Sequence, residues 1–184
     1  MNPRYSGISQ SFHWLTAILV LVAFTLGPGG SEQRVYDASH DLSRQWHESL
    51  GLLVLALTLL RLLWRSAEGR APSHAGSGLG DRAARIVQWL LYAMLFAVPL
   101  TAVAGAWLQG HPLTLLAGWQ IAPQLALQHA LGNGVATVHT WLGDALLWLA
   151  GAHAAAAIAH HALLHDEVLV SMLPHALARH LGRG

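Results

Sequence analysis

The sequence contains no cysteine and no lysine. Without cysteine the chain forms no disulfide, ligates no iron–sulfur cluster, and attaches no haem covalently through a Cys-x-x-Cys-His motif. Any haem it carries is held by axial ligands and packing alone. Without lysine, all ten basic residues are arginine, and nine acids leave a net charge of +1. No basic stripe or aromatic-laced basic patch is present, so nothing points to nucleic acid as a partner. Charge of either sign is scarce. Charged residues make up 10% of the 184 and apolar residues 54%, whereas a soluble domain carries about 25% charged. That balance indicates a membrane protein. Against it, thirteen histidines are an excess that calls for a chemical reason.

The apolar residues fall into four runs. The first, Phe12 to Leu26, carries His13 at its start and stops at Gly27-Pro28-Gly29-Gly30. It lacks the small-residue cleavage site of a signal peptide, so it is expected to be a retained transmembrane helix. A polar segment, Ser31 to Arg44, leads to the second run, Leu50 to Trp64, introduced by Gln45-Trp46-His47-Glu48 and closed by Arg65. A Gly-, Ser-, Ala- and Pro-rich loop from Ser66 to about Asp81 precedes the third run, Ile86 to Leu108, which tolerates Pro99 as spanning helices do. The connector from Gln109 to Gly134 is partly apolar, with room for a short interfacial helix. The fourth run begins near Val135 and passes Ala162, and the tail from His165 to Gly184 is broken by Pro174.

The expected fold is all-α: an integral membrane four-helix bundle in a single domain over 1–184, spanning at about 10–28, 46–65, 84–108 and 135–163. Four spans put both termini on one side. Arg4, Arg61, Arg65, Arg70, Arg82, Arg85, Arg179 and Arg183 cluster at that side, the connector has no cation, and Arg34 and Arg44 are offset by Glu32, Asp37 and Asp41. The positive-inside rule therefore makes both termini cytoplasmic. Trp14, Trp46, Trp64 and Trp141 lie near span ends, as an aromatic belt requires.

The fourth run carries His139 and His153, fourteen residues apart. Fourteen residues are close to four turns, so both imidazoles leave one face, roughly 21 Å apart along the axis. That is most of the bilayer core of about 30 Å, and it suggests two stacked cofactors. His13 opens an outward-going helix and lies near the inner side; His47 opens an inward-going helix and lies near the outer side. Depth therefore pairs His47 with His139 and His13 with His153, each pair joining two helices. A zinc site needs three or four close ligands, whereas two distant pairs suit two haems, each iron taking two neutral imidazoles. The four histidines are the expected axial ligands.

Other positions share that geometry. Gly51 and Gly143 lie four residues after His47 and His139, on the ligand faces, where a flat macrocycle approaches the backbone. Gly27, fourteen after His13, is level with the outer pair. Arg61 and Arg65, fourteen and eighteen after His47, share its face at or just below the inner pair. A cation at the depth of Arg61 wants a propionate or a quinone carbonyl, and Arg65 is as well placed to snorkel to headgroups. His40, His111 and His129 belong to outer loops, and His74, His175 and His180 to inner loops or tail. His160, His161 and His165 end the last span, where they are placed either to relay protons or simply to meet the interface.

These residues resemble the bacterial cytochrome b561 family, small four-helix dihaem membrane cytochromes, over nearly the whole chain. Phe12-His13-Trp14 is similar to that family's first-helix ligand motif; Trp46-His47, Gly51, Arg61 and Arg65 to its second helix; Tyr92 and Pro99 to its third. The most specific stretch is His139-x13-His153-Ala-Ala-Ala-Ala-Ile-Ala-His160-His161, followed by Asp166 and Met172-Leu173-Pro174. The resemblance implies two b haems on the four histidines, an inner (cytoplasmic) bacterial membrane, and oxidoreductase activity passing electrons from periplasmic superoxide, or another small one-electron donor, to membrane quinone. An alternative is the cytochrome b subunit of a larger dehydrogenase or hydrogenase-type complex, which requires an iron–sulfur redox partner protein. An anionic donor calls for a positive outer surface, and Arg34 and Arg44 among at least three acids do not supply one.

Overall fold

The structure is a computed structural model that describes residues 4–68, 78–164 and 168–173. Among those residues, four helices are long and apolar enough to cross a membrane. The first, α1 (Gly7–Leu26), is capped by Ser6, whose hydroxyl accepts from the Ser9 N–H at 3.2 Å. It ends at Gly27, where Pro28 cannot extend it. Gly29 and Gly30 then take positive φ values of 53° and 96° to turn the chain. A four-residue helix, α2 (Glu32–Val35), and a 3-10 turn (Ala38–His40) fill the polar segment. The second long helix, α3 (Asp41–Glu68), returns across the bundle. The third, α4 (Leu79–Leu108), starts where the Asp81 carboxylate accepts from the Gly78 N–H at 3.1 Å, and carries Pro99 within it. The fourth, α5 (His129–Ala159), runs into a π-helical turn (His160–Leu164) and is followed by the short α6 (Val168–Met172).

The bundle is two helical hairpins laid side by side. α1 packs chiefly on α3 and α4 chiefly on α5, while α3 against α4 joins the pairs. One end carries the start of α1 and the end of α5 and is called the terminal end; the other is the connector end. At the terminal end α6 is strapped to α1: Arg4 donates to the Leu173 and Val170 carbonyls at 2.6 and 3.1 Å, Gln10 to Ser171 at 3.0 Å, and Trp14 to Met172 at 2.8 Å.

Midway lies an apolar layer. Val54, Leu95 and Leu146 are buried against one another, with Leu19, Val20, Leu91, Met94 and Val98 around them. Val54 is seven residues after His47 and seven before Arg61, and Leu146 is seven after His139 and seven before His153. The layer therefore sits halfway between the two histidine levels. Below it Thr58, fully buried, returns its hydroxyl to the Val54 carbonyl at 2.7 Å. The outward face is the reverse of a soluble protein's: Trp148 is 81% exposed, and Leu21, Leu63, Trp89 and Ile158 are also exposed. In lipid such a surface costs nothing, and the helices satisfy their own backbone hydrogen bonds.

The connector differs from the interfacial helix anticipated. It forms a small antiparallel hairpin, β1 (Leu113–Thr114) with β2 (Gln120–Ile121), pairing Leu113 with Ile121. A 3-10 turn (Leu116–Gly118) joins them, with Ala117 and Gly118 at φ 62° and 76°. The reason is local: an Ala-Gly turn reverses the chain, and α3 supplies acceptors for the hairpin. The Thr114 N–H donates to the Glu48 carboxylate in a short hydrogen bond, and the Leu116 N–H to the Ser49 hydroxyl at 2.9 Å. Arg70, His74, His165, Asp166, Pro174, His175, Arg179, His180 and Arg183 lie outside the described residues.

Close helix approach depends on two glycines. A Cβ on Gly105 would stand 3.2 Å from the Ala136 nitrogen, and one on Gly132 would stand 2.9 Å from the Gln109 nitrogen and 3.0 Å from the Leu108 carbonyl carbon. Backbone cannot yield as a side chain can. Gly132→Ala is expected to destabilise the protein by about 1–3 kcal/mol, read as a lower melting temperature in detergent. Gly134→Ala, with nothing within 4 Å of its added carbon, is expected to melt as the unsubstituted protein does.

Candidate functional site

At the connector end the two hairpins enclose a cavity of about 800 Å³ lined by residues of all four long helices. His47 from α3 and His139 from α5 face each other in it, with ring centres 6.0 Å apart and planes at 81°. Each ring is fixed from behind. His47 Nδ1 lies 2.7 Å from the Ala23 carbonyl of α1, and His139 Nδ1 lies 2.9 Å from the Val98 carbonyl of α4. A carbonyl only accepts, so both rings are Nδ1–H tautomers and both keep the Nε2 lone pair for a metal. A metal–imidazole bond is about 2 Å, so two rings bound on opposite sides of one metal have centres about 6 Å apart. The observed spacing meets that requirement.

The cavity walls suit a flat group. Gly51 and Gly143 both line it, and a Cβ at either would meet nothing within 4 Å. Gly27 serves differently from the other two: an added Cβ would stand 3.2 Å from His47 Nδ1 and Cε1. Its missing side chain is what lets the His47 ring reach α1. These features fit a macrocycle whose metal takes one imidazole on each face.

At the terminal end, His153 lies within electrostatic reach of His13, and Arg61 within reach of both. The His13 ring meets Trp14 edge-on at 5.4 Å. The Arg61 guanidinium lies 5.4 Å from the centre of the Tyr92 ring, and Arg61, Arg65, Tyr5, Ser9 and Met172 surround one small cleft. From Gly151 to its end at Ala159, α5 is exposed at every position but Ala157, and His160 beyond it is exposed as well. His160 and His161 open the π-helical turn. Among the described residues no group of three or more His or carboxylate side chains is arranged to hold a bare metal ion.

Several residues at the connector end carry weight that spacing alone does not reveal. Glu48 holds both the hairpin and Arg44, whose Nη1 lies 3.2 Å from Glu48 and whose Nη2 lies 2.7 Å from Asp41. Arg44 also stands over the Tyr36 ring at 5.0 Å. Tyr36 stacks on His111 with ring centres 3.5 Å apart, and His111 donates to Glu32 at 2.9 Å. Burial, with the Glu48 carboxylate next in effect, pushes the Tyr36 phenol above its ordinary range. His129 lies 3.9 Å from Glu32, and His40 pairs locally with Ser39 at 3.0 Å. The available signal was position: Arg44 lies three before His47, and Glu48 directly after it.

A four-helix membrane bundle that brings imidazoles of different helices together across a cavity has the build of a membrane cytochrome. Residues 4–175 match the family described as prokaryotic cytochrome b561. The chain belongs to that family, whose members transfer electrons in membranes and bind b-type haem. It is a multi-pass bacterial membrane protein. It is 31% identical over 173 residues to cytochrome b561 homolog 2 of Escherichia coli (strain K12), covering 92% of this chain and 91% of the relative. It is 27% identical over 182 residues to the probable superoxide oxidase CybB of Yersinia pestis, covering 95% and 98%. It is 29% identical over 178 residues to cytochrome b562 of Cereibacter sphaeroides, covering 94% and 96%.

The open walls generate a prediction. Gly51→Leu and Gly143→Leu each add bulk into the cavity from a position where the Cβ itself meets nothing within 4 Å, so the chain is expected to fold and insert normally. Each is expected to carry one haem fewer than the unsubstituted protein by pyridine haemochrome assay. Full haem content in both variants contradicts the cavity's role.

Proposed function

We propose that this chain is a superoxide:quinone oxidoreductase of the bacterial inner membrane that holds two b haems, one by His47 with His139 and one by His13 with His153. The observation that carries the reading is the connector-end pair: two Nδ1-tethered imidazoles from different hairpins, 6.0 Å apart in one cavity. Haem bound there supplies one-electron exchange at iron. The chain's own residues hold the two levels apart, and the buried Val54, Leu95 and Leu146 exclude water between them. Arg61, in reach of both terminal-end histidines, orients a propionate or a quinone carbonyl there.

The balance is simple. Two superoxide ions each lose one electron and become dioxygen, and one quinone takes two electrons and two protons and becomes quinol. The relative named a probable superoxide oxidase supports this donor, and the arginines at the terminal end support cytoplasmic termini and a periplasmic connector. No redox partner protein is required.

Local charge defines how such a donor arrives. Arg34 at the connector end donates its Nε–H to the Pro28 carbonyl at 3.2 Å, and Arg44 is paired with two carboxylates. With Glu32, Asp37, Asp41 and Glu48 nearby, that end presents no positive funnel. Superoxide consumption is therefore expected to change by no more than about twofold between low and high salt, unlike a steered reaction.

The central test is purified protein in detergent, with haem counted per chain and electron flow followed from superoxide to a soluble quinone. Two b haems and quinone reduction are expected. His139→Ala and His47→Ala are expected to lose the same haem, and His13→Ala and His153→Ala the other, each variant stopping quinone reduction. A His153→Ala protein that retains both haems breaks the pairing. Haem-replete protein inert towards superoxide overturns the donor while leaving the cytochrome intact.

A further inference from the structure

Arg44 is 8% exposed and lines the same cavity as His47 and His139. Three residues before His47 on one helix, it shares the ligand's face one turn nearer the connector end. Its guanidinium is a planar fork of five N–H donors. One donor from each Nη reaches a carboxylate, at 3.2 Å on Glu48 and 2.7 Å on Asp41. The Nε–H is buried and has no hydrogen-bond partner.

That pattern is incomplete. A buried donor left without a partner is destabilising, and more so when the group is charged. Local charge balance does not explain it either. The Asp41 side chain is 48% exposed, so water screens it. The second Glu48 oxygen is committed to the Thr114 N–H. Glu32 is bonded to His111, which stacks on Tyr36, and no carboxylate other than Asp41 and Glu48 forms an ion pair with Arg44 among the described residues. Arg44 is thus a buried cation with donor capacity to spare, on the wall of a cavity whose imidazoles fit an iron macrocycle. Haem b carries carboxylates on one edge, and a guanidinium binds a carboxylate more strongly and more directionally than any other side chain.

We propose that Arg44 is the propionate-docking residue of the connector-end haem. The assignment rests on the reading of His47 and His139 as that haem's ligands, and it sets the carboxylate edge of the group towards the connector.

The test uses full-length protein in detergent and measures haem rather than turnover. In Arg44→Gln, one haem is expected to pass to an excess of haem-scavenging apoprotein roughly tenfold faster, the scale of one charge-assisted hydrogen bond. Its midpoint potential is expected to fall, because a cation beside the iron is gone, while the other haem keeps its rate and potential. Arg44→Lys is expected to hold the potential but still release haem faster, since a point charge cannot make the fork. Should Arg44→Gln fail to fold, the unsubstituted protein reconstituted with haem dimethyl ester asks the same question. Its capped carboxylates are expected to speed release from the connector-end site by the same factor. Unchanged release and potential in Arg44→Gln, or ester haem held as tightly as free-acid haem, overturns the assignment. So does an Arg44→Gln protein with both haems unaltered and superoxide consumption slowed, which makes Arg44 a contact for the donor anion instead. Unsubstituted protein that binds no haem fails the reading underneath, and does so before any variant is made.

Discussion

Everything at the connector end depends on one interaction used twice: a hydrogen bond from an imidazole Nδ1–H to a backbone carbonyl of the neighbouring helix. His47 of α3 ties to Ala23 of α1, and His139 of α5 ties to Val98 of α4. These are the same helix pairs that pack most closely. Each histidine therefore closes its own hairpin and, by the same bond, fixes the tautomer that leaves the Nε2 lone pair free. Each carbonyl is shared, Ala23 with the Gly27 N–H at 3.1 Å and Val98 with the Thr101 hydroxyl at 2.9 Å, and away from bulk water such bonds are worth more than their counterparts in water. A group gripped by both Nε2 atoms would be the strongest link between two hairpins that otherwise meet mainly through α3 and α4. Fold and cofactor binding are coupled in such an arrangement, as they are in other small metal-holding proteins.

The second constraint is the layer between the two histidine levels. Val54, Leu95 and Leu146 each come from a different helix and sit halfway along the ligand spacing. A layer without polar groups keeps the dielectric low, which sharpens every charge effect at either level. It also separates two unlike environments. The connector end is walled by glycines and capped by a hairpin pinned through Glu48 and Ser49. The terminal end is lined by Arg61 and Arg65 and strapped by α6 onto α1. Under the proposed ligand assignment, two pairs in such unequal surroundings would have a built-in reason to differ in potential, and the direction of electron flow depends on such a difference.

Much of this was legible in the chain. Apolar run lengths, the His139–His153 spacing and the glycines one turn after two of the histidines all follow from helix period, and period survives any tertiary context. The family resemblance rested on the same residues. What was not legible shares a physical cause. The connector's composition permits an interfacial helix, and only acceptors on α3, supplied from more than sixty residues away in sequence, turn it into a hairpin. The carbonyl partners of His47 and His139 have no side-chain signature at all. Gly27 was placed by its level, but its close approach to the His47 ring depends on how α1 and α3 cross. Arg44 looked like a surface charge offset by acids, because a sequence does not say which cation is buried.

Burial of Arg44 changes how the connector end handles anions. Long-range steering needs free charge at the surface, and here the cation nearest the cavity is sheathed by Asp41, Glu48 and the Tyr36 ring. A sheathed guanidinium contributes little field at a distance, because its neighbours cancel it beyond a Debye length. At contact it still offers directional N–H donors, since neutralising a cation does not remove its hydrogens. The design therefore exchanges capture for placement: it does not draw an anion in, but it holds in a defined orientation one that is already inside. A tightly held carboxylate is a better match to that property than a diffusing ion. The same logic explains the clamp around it, because Glu48 can pin the hairpin and hold Arg44 only while both remain out of bulk water.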